Sequence, residues 1–343
     1  MKYLTSKLFS KRISWLYVLP LSLVFGLLFS FTSERFFKEK QEPDSVSSGQ
    51  KKQSTMNHSI GNQPFINPIL SCVGELRELK PFKSKIEAIV DRAKAQGRAK
   101  EISVFFRSMS NGYLFGINRR EKYYPASLLK VPVMMAYLKQ AVMTPGLMDK
   151  RIKFVKPYTG VPINNVANKI ELGKEYTIKE LIEKMVVVSD NDATLLLNDN
   201  IDPSVYSSTL KELGLNVPER TTPDDNFMLV EDYGRILRIL YNSSYLNREL
   251  SNFGLMLLSK AQYGDGIPSG TGSKPVAHKF GEWMYNGEYQ LHDCGIVYDA
   301  EQPYMLCVMT KGKDVKVLAS VIAEISKAVN ESVVNNNIPI IDN

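Results

Sequence analysis

The chain has 343 residues, 44% of them apolar, and carries a formal net charge of +7 with a pI near 9.0. Four of the cations (Lys2, Lys7, Lys11, Arg12) sit at the very start, so the rest is only mildly basic; without a Lys/Arg run interleaved with aromatics, this argues against a nucleic-acid partner. Three cysteines exclude a disulfide framework, three histidines (His58, His278, His292) show no metal-ligand spacing, and no glycine loop could cradle a phosphate, so neither metal nor cofactor is expected.

In chain order the first element is residues 13–31, ISWLYVLPLSLVFGLLFSF, uncharged and 19 residues long. At about 1.5 Å of rise per residue such a helix approaches the ~30 Å apolar thickness of a bilayer. The basic residues ahead of it would stay in the cytoplasm, placing all that follows outside. A cleaved signal peptide shares the basic start. The stretch is long for one, however, and no small-x-small site follows in SFTSERFF, which favours an uncleaved transmembrane anchor over residues 1–31. Residues 32–67 are polar, without apolar period, and read as a disordered tether.

Residues 68–335 suit one large domain or two joined lobes. Ile86, Ile89, Val90 and Ala93 recur at helical spacing within residues 81–100, and Gly97 supplies a stop. EISVFFRSM and GYLFGINRR, joined by Ser110-Asn111-Gly112, form a hairpin signal. Helical patterns then dominate from residue 124 to residue 258, among them SLLKVPVMMAYLKQAV, a pair in TIKELIEKMVVVSDNDATLLLND, and EDYGRILRILYN. After Lys274 the pattern returns to strands in PVAHKFGEW, EYQLHDCGIVYD and YMLCVMTKG, and ends in an amphipathic helix, KVLASVIAEISKAVNESVV. The expected fold is therefore α+β, with a five-stranded antiparallel sheet assembled from both ends of the chain. Terminal helices would flank it (sheet lobe 75–123 and 270–332), and a helical lobe (124–269) would be inserted, in three α/β/α layers. Cys294 and Cys307 fall symmetrically about a turn at Ala300 and Glu301. They could bridge two strands in an exported protein, or pack as small buried hydrophobes.

Chemistry can begin from a Ser followed three residues later by Lys, which puts hydroxyl and amine on one helical face. A desolvated Lys of depressed pKa can then take the Ser proton. The spacing occurs three times: Ser48 with Lys51, Ser127 with Lys130, and Ser208 with Lys211. The first lies in the tether and the last in an ordinary polar helical turn. Ser127 instead follows Tyr124-Pro125-Ala126, where the proline forces a turn, and opens an apolar helix. Its amide is a candidate oxyanion donor. Ser189-Asp190-Asn191 follows the apolar run Met185–Val188 and could cap a helix, relay a proton through Ser189 and hold a substrate amide through Asn191. Lys279 lies in a strand with Gly281 close by, so a substrate backbone could lie against that strand.

S-x-x-K, then S-D-N, then K-x-G, in this order over roughly residues 75–330, resembles the class A β-lactamases and penicillin-binding proteins. The 62-residue separation of Ser127 and Ser189 matches that family too. The resemblance implies a monomeric serine hydrolase of the bacterial cytoplasmic membrane, tethered by its N-terminal helix with the domain outside, or secreted if the segment is cleaved. Its partner would be a small-molecule β-lactam or a peptidoglycan peptide. Ser127 would be acylated, Lys130 would accept its proton, Ser189 and Lys279 would carry a proton to the leaving nitrogen, and a second oxyanion N–H would lie near Trp283.

Two departures stand out. Phe280 replaces the Thr or Ser whose hydroxyl binds the substrate carboxylate in the family. That anion would have to be met by His278 or Lys279, or be missing from the substrate. The family's loop Glu, which activates the deacylating water, also has no counterpart. The stretch LNVPERTTPDDNFMLV offers Glu219, Asp224 and Asp225, each of which also reads as a turn residue. General-base help is worth about 10²–10⁴ in rate, so the acyl-enzyme is expected to persist, as in a penicillin-binding protein or a feebly catalytic binder of wall fragments.

Overall fold

The computed structural model describes residues 80–158, 169–218 and 225–335. The expected anchor and tether, Ser48, Lys51, Glu219 and Asp224 lie outside the described residues. Among those described, no helix is long and apolar enough to cross a membrane.

Five strands form the main sheet: β1 (Glu101–Ser108), β2 (Leu114–Ile117), β7 (Val276–Tyr285), β8 (Glu288–Val297) and β9 (Tyr304–Gly312). Their spatial order is β2-β1-β9-β8-β7, and every neighbouring pair is antiparallel. The first and last strands of the chain thus meet at β1 and β9, with Phe105 opposite Cys307. Strand β7 is left at one edge.

Alternation along each strand feeds two cores. Ile102, Val104 and Phe106 of β1 join Leu306 and Val308 of β9 beneath α1 (Lys80–Ala95) and α9 (Val315–Val334). The terminal helix α9 reaches them with Leu318, Val321, Ile322, Ile325, Val329 and Val333, a 3.6-residue stripe capped by Asp314. Phe105, Cys294, Ile296, Met305, Cys307 and Met309 face the opposite way, into the helices inserted between β2 and β7. Each fully buried large apolar side chain contributes about 1.5–3 kcal/mol, so both faces of the sheet are firmly covered. This gives the three layers expected.

The insert comprises α2 (Lys130–Met143), α3 (Ile178–Val187), α4 (Asn191–Asn198), α5 (Pro203–Glu212), α6 (Val230–Tyr241), α7 (Arg248–Leu258) and the short α8 (Ile267–Thr271). It is not wholly helical. Two small ladders interrupt it, β3 (Lys122–Tyr123) with β6 (Met228–Leu229) and β4 (Arg151–Lys153) with β5 (Glu175–Thr177). Strands of two or three residues leave no alternation to read.

Cys294 and Cys307 are directly opposed on β8 and β9 and joined as a disulfide, which decides between the two readings of that pair.

Candidate active site

The candidate site is built where α2, the α3–α4 junction and β7 converge. Ser127 lies in a 3-10 turn, Ala126–Leu129, that runs directly into α2 at Lys130. In such a turn residues three apart eclipse one another, so Ser127 and Lys130 share a side. Pro132 falls in the first turn of α2, where its missing N–H has no partner to lose.

Lys130 is buried, and its Nζ donates to Ser189 O (2.7 Å), Ser189 Oγ (3.0 Å) and Asn191 Oδ1 (2.7 Å). Three acceptors satisfy all three N–H groups of an ammonium, which a buried cation requires. Burial nevertheless pulls its pKa down to about 7, against the opposing charge of Asp190. Ser127 is half-buried, and its Oγ makes no hydrogen bond to the described residues, so the amine points to the SDN segment at rest rather than to the hydroxyl. Losing one proton frees a lone pair on Nζ and releases one acceptor, the change that would let the amine turn toward Ser127.

Ser189 is 1% exposed and adopts the left-handed conformation, φ 57°. A non-glycine residue there costs on the order of 1–3 kcal/mol and persists only where its surroundings hold it. Here they do. Its Oγ meets Lys130 Nζ and also Lys279 Nζ, each at 3.0 Å. The capping role falls on its neighbour: Asp190 Oδ1 accepts from Asp192 N and Ala193 N at the start of α4, while Oδ2 accepts from Ile170 N. The segment therefore divides its labour, with Asp190 holding the backbone and Ser189 and Asn191 facing Lys130.

Lys279 is fully buried, donates also to Phe280 O (3.2 Å), and lies 4.2 Å from the centre of the Phe280 ring. Burial, and then the charge of Lys130, hold its pKa well below the lysine range. Ser189 Oγ thus bridges two buried amines, a continuous hydrogen-bonded path from α2 to β7.

Gly281 meets a demand beyond the one expected. A Cβ there would sit 2.7 Å from Pro125 O and 3.1 Å from Leu128 Cγ, so the absent side chain makes room for the turn that carries Ser127. Phe280 points to the other face of β7 and stacks on Tyr263 with ring centres 4.3 Å apart. His278 is also on that face, buried with Nδ1 2.8 Å from Asp293 Oδ1, which removes it as a carboxylate receptor in the site. Trp283 packs its ring against Tyr124, centres 4.8 Å apart. Burial, and then the charge of the half-buried Asp225, raise the Tyr124 phenol.

Sequence reasoning missed Gln290 and His292. Both are buried on β8, two positions apart and hence on one face, and both reach the backbone of Tyr124. Their one sequence signal is a pair of polar residues in an otherwise apolar alternation. Among the described residues no cluster could hold a metal ion.

Comparison with known proteins follows the same outline. Solved structures with the same fold include PBP-A (TM-score 0.63, 20% identity, covering 75% of this chain and 97% of that one). They also include β-lactamases from Chitinophaga pinensis (0.63, 19%, 74% and 100%) and Sphaerobacter thermophilus (0.61, 22%, 75% and 99%). No curated protein sequence matches. The model of the β-lactamase enzyme family matches residues 81–333, which span the Ser127 turn, the SDN junction and β7. With that match over most of its length, the chain belongs to the β-lactamase enzyme family.

Proposed function

We propose that the protein is a serine hydrolase of the β-lactamase type that is acylated at Ser127 by a β-lactam or a related wall-peptide amide. The observation that carries this reading is the buried Lys130, whose pKa of about 7 makes it available as a base at neutral pH. The Ser127 proton passes to Lys130 Nζ as Oγ bonds to the carbonyl carbon. The carbon–nitrogen bond then breaks, and the leaving nitrogen takes a proton through Ser189 Oγ, on the path that Lys130 and Lys279 share. The oxyanion would be met by the Ser127 amide and a backbone N–H of β7 near Trp283, while Asn191 would hold the substrate amide. A PBP-A variant has been solved as an acyl-enzyme complex with penicillin G, which supports a β-lactam as the probe.

The acyl-enzyme is long-lived in this reading. The sequence has no counterpart of the family's loop Glu, and of the three candidate carboxylates only Asp225 falls among the described residues, where its charge adds to burial in raising the Tyr124 phenol. This favours slow release, the behaviour of a D-alanyl-D-alanine peptidase intercepted by penicillin, over efficient antibiotic destruction. We further place the domain outside the cytoplasmic membrane, tethered through residues 13–31; the Cys294–Cys307 disulfide supports an oxidising compartment.

The test is exposure to a fluorescent penicillin and a chromogenic cephalosporin. A stable label on Ser127 with slow cephalosporin turnover is the expected result. Fast turnover would replace the slow-release reading with an efficient β-lactamase, and labelling at another serine would remove Ser127 from its role.

A further inference from the structure

The turn that presents Ser127 is strained. Ala126, immediately before it, has φ 48°, a left-handed conformation that an alanine does not hold unaided. Pro125 has no N–H with which to brace the turn, although its carbonyl accepts from Leu128 N at 3.0 Å. Something outside the turn must fix it.

Both backbone groups of Tyr124 are taken by side chains of β8. Gln290 Oε1 accepts from Tyr124 N at 3.0 Å, and His292 Nε2 lies 3.0 Å from Tyr124 O. Each is itself oriented. Gln290 Nε2 donates to Asn226 Oδ1 at 2.8 Å, and this fixes which end of the amide faces Tyr124. Thr310 N points at His292 Nδ1 (3.4 Å), so Nδ1 is the acceptor and Nε2 carries the proton that Tyr124 O receives. The ring edge rests on Tyr123, centres 5.2 Å apart. Burial drives the His292 pKa down to about 4, which keeps this neutral tautomer at neutral pH. Gln290 and His292 occupy the face of β8 that also carries Cys294, and His292 is directly opposite Gly281, whose missing side chain admits the same turn.

We infer that Gln290 and His292 are positioning residues: they clamp the backbone of Tyr124, hold Ala126 in its strained conformation and thereby aim the Ser127 hydroxyl. Both act through the backbone of Tyr124. The effect on acylation rests on the proposed role of Ser127; the effect on the turn does not.

The test compares wild type, His292→Phe and His292→Gln in the full chain. Phe keeps a ring against Tyr123 but has no donor, whereas Gln places an amide N–H near the position of Nε2. Hydrogen exchange of the peptide covering residues 124–129 and the rate of labelling by fluorescent penicillin are read together. His292→Phe is expected to speed exchange of that peptide by about tenfold or more. It should also slow labelling at saturating penicillin on the order of 10²-fold, the scale set by an ångström of misplacement, with apparent penicillin affinity within about threefold. His292→Gln is expected to recover most of both. Unchanged exchange in His292→Phe, or equal impairment in the Phe and Gln variants, overturns the clamp. Should wild type take no label while exchange follows the expected pattern, the clamp stands and the acylation reading fails.

Discussion

The same three-residue spacing occurs at Ser127–Lys130 and at Ser208–Lys211, and the two places have nothing else in common. Ser208 and Lys211 lie exposed toward the end of α5, which closes at Glu212. Water solvates that ammonium. Lys130 instead begins a helix whose first nine residues are buried, and it finds three acceptors on a neighbouring junction. Spacing sets which side chains can meet; burial lowers the pKa of one of those lysines to about 7, while the other stays exposed.

The largest effect that would sharpen this contrast is on the nucleophile itself. Ser127→Ala should abolish the covalent penicillin label, and Ser208→Ala should leave it intact; loss of label in Ser208→Ala alone would reverse the assignment. Next comes the base. Lys130→Ala should slow acylation on the order of 10²–10⁴-fold, and Lys130→Arg should be similarly impaired because a guanidinium keeps its proton. Lys211→Ala should leave the rate within about twofold, as for surface residues away from the chemistry.

A pH profile tests the same contrast without a substitution. Because burial lowers the Lys130 pKa to about 7, the neutral amine gains ground as pH rises through that value. Acylation should therefore climb between about pH 6 and 8 and then level off. A profile that stays flat through that window would mean that Lys130 is not the titrating base. The smallest effect expected is on packing. Gly281→Ala pushes a methyl against Pro125 O, and overpacking of this kind costs about 1–3 kcal/mol, to be read as a drop in thermal stability with slowed acylation.

Much of this was legible in the sequence because long elements carry a period. The 3.6-residue stripe of α9 and the apolar, β-rich runs of β1, β8 and β9 are clear in the sequence, and they place the sheet and its flanking helices. The two small ladders were not legible. Lys122–Tyr123 and Met228–Leu229 pair only because distant segments bring them together. Within the site, Ser127, Lys130, Ser189, Asn191 and Lys279 were chosen from motif order, and the structure brings Lys130, Ser189, Asn191 and Lys279 into one hydrogen-bonded group. It also leaves the Ser127 hydroxyl outside that group, a detail of rotamer that spacing cannot specify. Gly281 was read as clearance for a substrate, and the structure adds a second demand that the sequence does not show, clearance for the chain's own turn. Gln290 and His292 escaped notice because their partner is the backbone of Tyr124, which carries no signature in sequence.

The most direct measurement is peptide-mapped mass spectrometry after exposure to penicillin, run in parallel on wild type and Lys130→Ala at pH 8. The modification is expected on the peptide holding Ser127 in wild type and nearly absent, at matched times, from the variant. Modification of a different serine, or equal modification of Ser127 without the amine, would contradict the claim that a desolvated lysine generates the nucleophile.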